Sequence, residues 1–174
     1  DFRIDDMALG GQGAPFAPIF HQRLFAEDEQ TAIAVNIGGI ANISVIPAKN
    51  SRQAVIGWDC GPGNGLLDEA CQKYLQCAYD KDGQQARQGT VQKDLLTQLL
   101  ADPYFKMAAP KSSGRDYFNW ELLQNRLTSK TLAEINTADL LATLTELTAT
   151  CIANEVLKTT KTQDNLSVWI CGGG

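Results

Sequence analysis

An α/β fold is predicted for this chain by three features of its sequence. Short β-branched runs fill the first third, helical spacing of apolar residues fills the middle, and one more apolar run precedes a closing glycine triplet. Ala32-Ile33-Ala34-Val35-Asn36-Ile37 and Ile40-Ala41-Asn42-Ile43-Ser44-Val45-Ile46 flank Gly38-Gly39, which predicts a β-hairpin. A third strand is expected from Ala54 to Trp58, after the polar loop containing Lys49-Asn50-Ser51. Short connections between the three make an antiparallel meander. From Asn64 onward Leu66, Leu67, Ala70, Cys71, Tyr74 and Leu75 recur at three- and four-residue intervals, as on one face of a helix. Val91 to Leu100 repeats the pattern and stops before Asp102-Pro103. Asn119 to Leu127 predicts a short helix, and Thr137 to about Lys158 the longest. Asn165 to Cys171 reads as a buried strand running into Gly172-Gly173-Gly174. The predicted order is therefore β-β-β-α-α-α-α-β-Gly.

Composition narrows the class. The chain has 174 residues, enough for one domain of ordinary size, and a formal net charge of -5 with both signs mixed along it. Nucleic-acid binding needs clustered Lys and Arg, so that partner is not expected. No run approaches the ~20 consecutive apolar residues of a membrane span. Five scattered cysteines form no CxxC pair, and with a single histidine a Cys/His metal site is not expected. Scattered thiols with apolar flanks suit a reducing cytoplasm. The acidic N-terminus lacks a signal-peptide pattern, and both ends are expected to be cut from a longer protein.

Gly57-Trp58-Asp59-Cys60-Gly61-Pro62-Gly63-Asn64 is the densest chemical signal. It sets one carboxylate between a strand end and a helix start, where α/β proteins commonly bind ligands. Its glycines let backbone amides approach a ligand. Asp59 is the candidate working acid; the same position also suits a helix or turn cap, and the residues alone leave both open. Gly38-Gly39 and Gly172 to Gly174 each follow a strand, as an ordinary turn or as a cradle for phosphate. Neither GxxxxGK[ST] nor GxGxxG is present, since Gly61-Pro62-Gly63-Asn64-Gly65-Leu66 has leucine at the third glycine position.

Taken in order, five blocks resemble the anhydro-N-acetylmuramic acid kinase family, of the actin-like (ribonuclease H-like) acetate and sugar kinase superfamily. They are Asp1-Phe2-Arg3 with Asp6 to Pro15, Asn36 to Asn42, Gly57 to Asn64, Pro110 to Asn119, and Cys171 to Gly174. The resemblance implies a truncated actin-like lobe over residues 31–174, preceded by a junction segment over residues 1–30. It implies ATP and Mg²⁺, hydrolytic opening of a 1,6-anhydro sugar at C1, and phosphorylation of O6 in peptidoglycan recycling. Asp59 matches the family's base, which deprotonates the attacking water. Gly38 and Gly39 match a phosphate hairpin, Gly172 and Gly173 the adenosine-side turn, and Arg3 and Asp6 are the expected substrate contacts. Arg3 and Asp6 also suit a structural ion pair. The family's N-terminal Ser-Gly-Thr-Ser type hairpin is absent from this sequence, as is everything past Gly174, so the chain alone is expected to be inactive. Competing readings are a non-catalytic actin-like nucleotide-binding module and a related sugar kinase with a simple hydroxyl acceptor. The partners expected are ATP and a small-molecule sugar, with a homodimer left open.

Several other residues are expected to play lesser parts. His21 lies in an apolar helical run and reads as structural. Lys111 and Arg115 sit in a polar loop, either solvated or neutralising phosphate. Asp68, a helical turn past Asn64, would order water or Mg²⁺ or stand as an exposed helix acid. Trp58, Trp120 and Trp169 are expected to pack the core.

Overall fold

A computed structural model describes residues 4–5, 8–10, 17–127, 132, 134–159 and 166–173. Arg3 and Asp6, the expected substrate contacts, lie outside the described residues. Helix α1 covers Ala17–Phe25, and three strands follow: β1 Thr31–Ile37, β2 Ile40–Ile46 and β3 Ile56–Pro62. Four helices come next: α2 Gly65–Leu75, α3 Lys93–Leu100, α4 Trp120–Arg126 and α5 Thr137–Thr159. The last strand is β4, Leu166–Gly172. Short 3₁₀ turns join the middle helices.

The sheet order is β3-β2-β1-β4. Its first three strands form the antiparallel meander, and β4 joins β1 in parallel, a pairing that requires a long crossover such as the helices between them supply. Side-chain alternation then divides the sheet into two faces. Ile33, Val35, Ile43, Trp58 and Cys60 face α5, where Ile152 and Val156 pack on them. Ala32, Ala34 and Ile46 face α1 and pack with Phe25. A larger core joins the helices to one another through Leu66, Leu95, Leu99, Leu123, Leu140, Leu144 and Leu147. Helix α5, 23 residues long, is long and apolar enough to cross a membrane, but its leucines at 140, 141, 144 and 147 are buried in this core.

Two elements depart from expectation in ways that bear on function. Strand β3 continues past Trp58 to Pro62, so Asp59 lies within a strand. A bulge makes this feasible: Asn42 pairs with Asp59 while its neighbour Ala41 pairs with Gly61, leaving Cys60 as the extra residue. Gly61 takes φ +153, a conformation open to glycine and unfavourable to other residues. Trp169, expected in the core, is half exposed on β4 and stacks on Phe25 at 5.5 Å between ring centroids. Trp58 is buried, and Trp120 is partly buried against the helical core.

Candidate active site

The three glycine segments, far apart in sequence, meet at one end of the sheet. The Gly38-Gly39 turn docks its carbonyls onto the start of α2. Asn64 N–H donates to Gly38 O at 2.8 Å, and the amides of Gly63 and Gly65 both donate to Gly39 O at 3.0 Å. On the other side, Gly173 N–H donates to Ile37 O at 3.1 Å, and Gly172 pairs with Ile37 in register. This corrects one expectation: the amides of Gly63, Asn64 and Gly65 donate to hairpin carbonyls, so they hold the turn together and do not face a ligand.

The glycines differ in why they are glycines. A Cβ on Gly63 would run into the Gly38 carbonyl, and one on Gly172, at φ +112, into the Ile37 backbone. A Cβ on Gly39 would strike the Arg115 guanidinium. Gly38 and Gly173 are different: a Cβ there meets nothing closer than 3.6 Å in the first case and nothing within 4 Å in the second. Backbone packing therefore requires glycine at 63 and 172, whereas at 39 the exposed Arg115 side chain could move aside; a Cβ fits at 38 and meets open space at 173.

Gly173 lines a groove of about 1100 Å³ together with Asn64, Leu67, Asp68, Tyr79, Arg87 and Glu146 among others; Gly38 adjoins it only through its bond with Asn64. Asp68 sits in the first turn of α2 and pairs with exposed Arg115 at 3.4 Å. Burial raises its carboxyl above the ordinary aspartate range, against the opposing pull of Arg115. Among the described residues no three His, Cys, Asp or Glu side chains gather as a metal cluster.

Asp59 belongs to a polar row that crosses the whole sheet. In register it stands opposite Asn42, which stands opposite Asn36, which stands opposite Cys171. The row shares the α1 face with Ser44, whose hydroxyl bonds His21 Nδ1 at 2.8 Å. His21 is buried, and burial holds its imidazole below the ordinary range. Its other ring nitrogen lies 3.9 Å from Cys171 Sγ, which itself donates to Val35 O at 3.3 Å. The carboxylate of Asp59 is buried and accepts two hydrogen bonds on Oδ2. One comes from Ser113 N–H at 2.8 Å and the other from Ser112 Oγ at 3.2 Å. Asp59 is not the cap of α2, because Asn64 occupies that position.

Sequence reasoning missed what stands behind Asp59. Lys111, expected to be solvated or to meet phosphate, is buried with a side-chain exposure of 0% and pairs with Glu155 of α5 at 3.0 Å. Its ammonium also donates to Tyr104 O at 3.3 Å and lies 4.7 Å over the Tyr104 ring. Glu155 accepts further bonds from Trp58 Nε1 at 2.9 Å and Lys158 at 2.8 Å. Burial alone would push the Glu155 carboxyl up. The bonds from Lys158, Lys111 and Trp58 outweigh burial and hold it below its usual range. Tyr104 in turn donates its hydroxyl to Asp59 O at 2.9 Å.

A mixed sheet packed with helices, carrying this convergence of glycine turns, is consistent with an actin-like ATPase lobe, here a partial one. The family model for anhydro-N-acetylmuramic acid kinase matches residues 1–174, the entire chain, and the chain belongs to that family. It is 47% identical over 174 residues to the anhydro-N-acetylmuramic acid kinase of Coxiella burnetii (strain RSA 493 / Nine Mile phase I). The kinases of that name from Hydrogenovibrio crunogenus and Shewanella pealeana are 46% and 45% identical over the same span. Each comparison covers 100% of this chain and 45% of the relative, so the chain spans less than half the length of these curated relatives.

Proposed function

We propose that this chain forms the nucleotide-binding lobe, and supplies the catalytic base, of an ATP-dependent kinase acting on 1,6-anhydro-N-acetylmuramic acid. The observation that carries the reading is the 1100 Å³ groove lined by Gly173 and by Asn64, which bonds the Gly38 carbonyl, at the sheet end reached by the Asp59 strand. Residues 31–174 make the lobe and residues 1–30 the junction to the rest of the enzyme, where Arg3 and Asp6 would meet the sugar. Gly38 and Gly39 would face the phosphates, and Gly172 and Gly173 the adenosine side. Room for a Cβ at Gly38 and open space beside Gly173 support those two, while Gly39 and Gly172 contribute by shaping the turns.

Asp59 would take one proton from a water as its oxygen bonds to C1. The C1–O6 bond of the anhydro bridge then breaks, and O6 attacks the γ-phosphorus with loss of ADP. The products are N-acetylmuramic acid 6-phosphate and ADP, a step that suits peptidoglycan recycling in the cytoplasm. The five free thiols are in keeping with that reducing compartment. Mg²⁺ is usually held by one or two carboxylates together with phosphate oxygens and water. Asp68, lining the groove beside Asn64, would be this chain's contribution, and bound Mg²⁺ would neutralise charge on the phosphates.

The test is Asp59→Asn in a full-length protein carrying this chain. Turnover is expected to fall by ~10²- to 10⁴-fold, the usual worth of a positioned base, with ATP binding kept. Turnover within a few-fold of the parent protein contradicts the base assignment.

A further inference from the structure

We infer that Lys111 and Glu155 are positioning residues that act on the reaction through Asp59; this rests on the base assignment above. Three observations carry it. First, β3 is an edge strand, and residues 111–113 cover its open edge, with Asp59 N–H donating to Lys111 O at 3.0 Å. Second, this short segment straddles that edge. Lys111 reaches Glu155 and Tyr104 beside Trp58, which packs on the α5 face, whereas Ser112 and Ser113 reach the carboxylate of Asp59. Third, Trp58 and Asp59 are consecutive, so they point to opposite faces of the sheet. The buried ion pair therefore holds the segment from one face, and the segment holds the carboxylate on the other.

The chemistry explains why a lysine stands there. A buried ammonium unpaired with a carboxylate is strongly unfavourable, so Lys111 has one stable position, against Glu155. That fixes the register of the next two residues relative to β3. Ser112 Oγ and Ser113 N–H both act on one oxygen, Oδ2. This restricts the carboxylate's rotation and orients its other oxygen, which is the kind of support a catalytic group needs from its surroundings.

The test uses a full-length protein carrying this chain and the double variant Lys111→Met with Glu155→Gln, which leaves no buried charge unpaired and keeps an acceptor for Trp58. Its kcat is expected to drop about ten- to hundred-fold, as displacements of about 1 Å at a reacting group can cost, with the ATP dissociation constant unchanged. On an Asp59→Asn background the same double variant should cause no further loss, because its effect passes through Asp59. An unchanged kcat, or a loss that multiplies fully with that of Asp59→Asn, overturns the inference. If Asp59→Asn alone keeps turnover, the base assignment has failed instead. Should the double variant not fold, Ser112→Ala tests the last link alone: kcat falls several-fold with ATP affinity intact, and an unchanged kcat overturns the inference.

Discussion

The amide of Asn64 donates a 2.8 Å hydrogen bond to the carbonyl of Gly38, and this contact joins the hairpin turn to the start of α2. Because Gly63 and Gly65 bond Gly39 in the same way, turn and helix form one rigid corner. The corner leaves room for a Cβ on Gly38, whose nearest neighbour would be Ile40 O at 3.6 Å, which makes it a clean probe of ligand approach.

Gly38→Ala should therefore melt close to the parent protein, while its ATP dissociation constant rises on the order of ten-fold, equivalent to about 1.4 kcal/mol. Gly172→Ala should behave differently. Its left-handed backbone and its contact with Ile37 predict a loss of about 1–3 kcal/mol in stability along with any effect on ATP. Calorimetric titration and thermal melts on both variants check the contrast. Full ATP affinity in Gly38→Ala would remove Gly38 from the phosphate site.

Protonation of His21 should loosen α1 from the sheet. Burial lowers its pKa in the folded state, so as pH falls the unfolded chain takes up the proton first. The stabilising contribution is complete above the ordinary histidine value of about 6.5 and declines as pH falls below it. Melting temperatures between pH 7.5 and 5.5 should decline more in the parent protein than in His21→Gln. Equal slopes contradict this account.

Glu155 works in a lower window and has the depressed pKa usual for a paired carboxylate. Its stabilising contribution is present above the unfolded glutamate range near 4.5 and is lost as pH falls through its lower folded value. The difference in melting temperature between the parent protein and Glu155→Gln should therefore narrow as pH is taken from about 5 towards 3. A gap that stays constant over that range would show the ion pair contributes nothing that titrates.

Thiol labelling reports on the groove. Cys77 is exposed, whereas Cys60, Cys71 and Cys151 are buried, and burial pushes the thiols of Cys71 and Cys151 up to about 12 and that of Cys60 higher still. A disulfide reagent at neutral pH should find Cys77 fast, and Cys77→Ser should remove that phase. Cys77 directly precedes Ala78 and Tyr79 of the groove lining, so saturating ATP should slow its labelling. Labelling indifferent to ATP would count against nucleotide in that groove.

Much of this arrangement was legible in the sequence because it is local. The hairpin around Gly38-Gly39 and the four middle helices follow from periodicity and breakers within a few residues. The extension of β3 was hidden because Gly61-Pro62 reads as a turn, and only pairing with β2 shows that a bulge carries the strand through. Lys111 was hidden for a different reason. A lysine among Pro, Ser and Gly reads as surface, and its partner Glu155 lies 44 residues away on another element. The exposure of Trp169 was equally unreadable, since a strand of Val, Trp and Ile looks buried whichever neighbour covers it. Asp59 stands out as a candidate from its glycine-rich setting, but its donors Ser112 and Ser113 lie on a loop more than 50 residues downstream.

The central claim is that one active site couples hydrolysis at C1 to phosphorylation at O6. A full-length protein carrying this chain, incubated with ATP, Mg²⁺ and 1,6-anhydro-N-acetylmuramic acid in ¹⁸O-water, tests it through the mass of the sugar product. The account predicts a phosphorylated sugar with one heavy oxygen at C1. An unchanged sugar, or a phosphorylated one without the heavy oxygen, would contradict it.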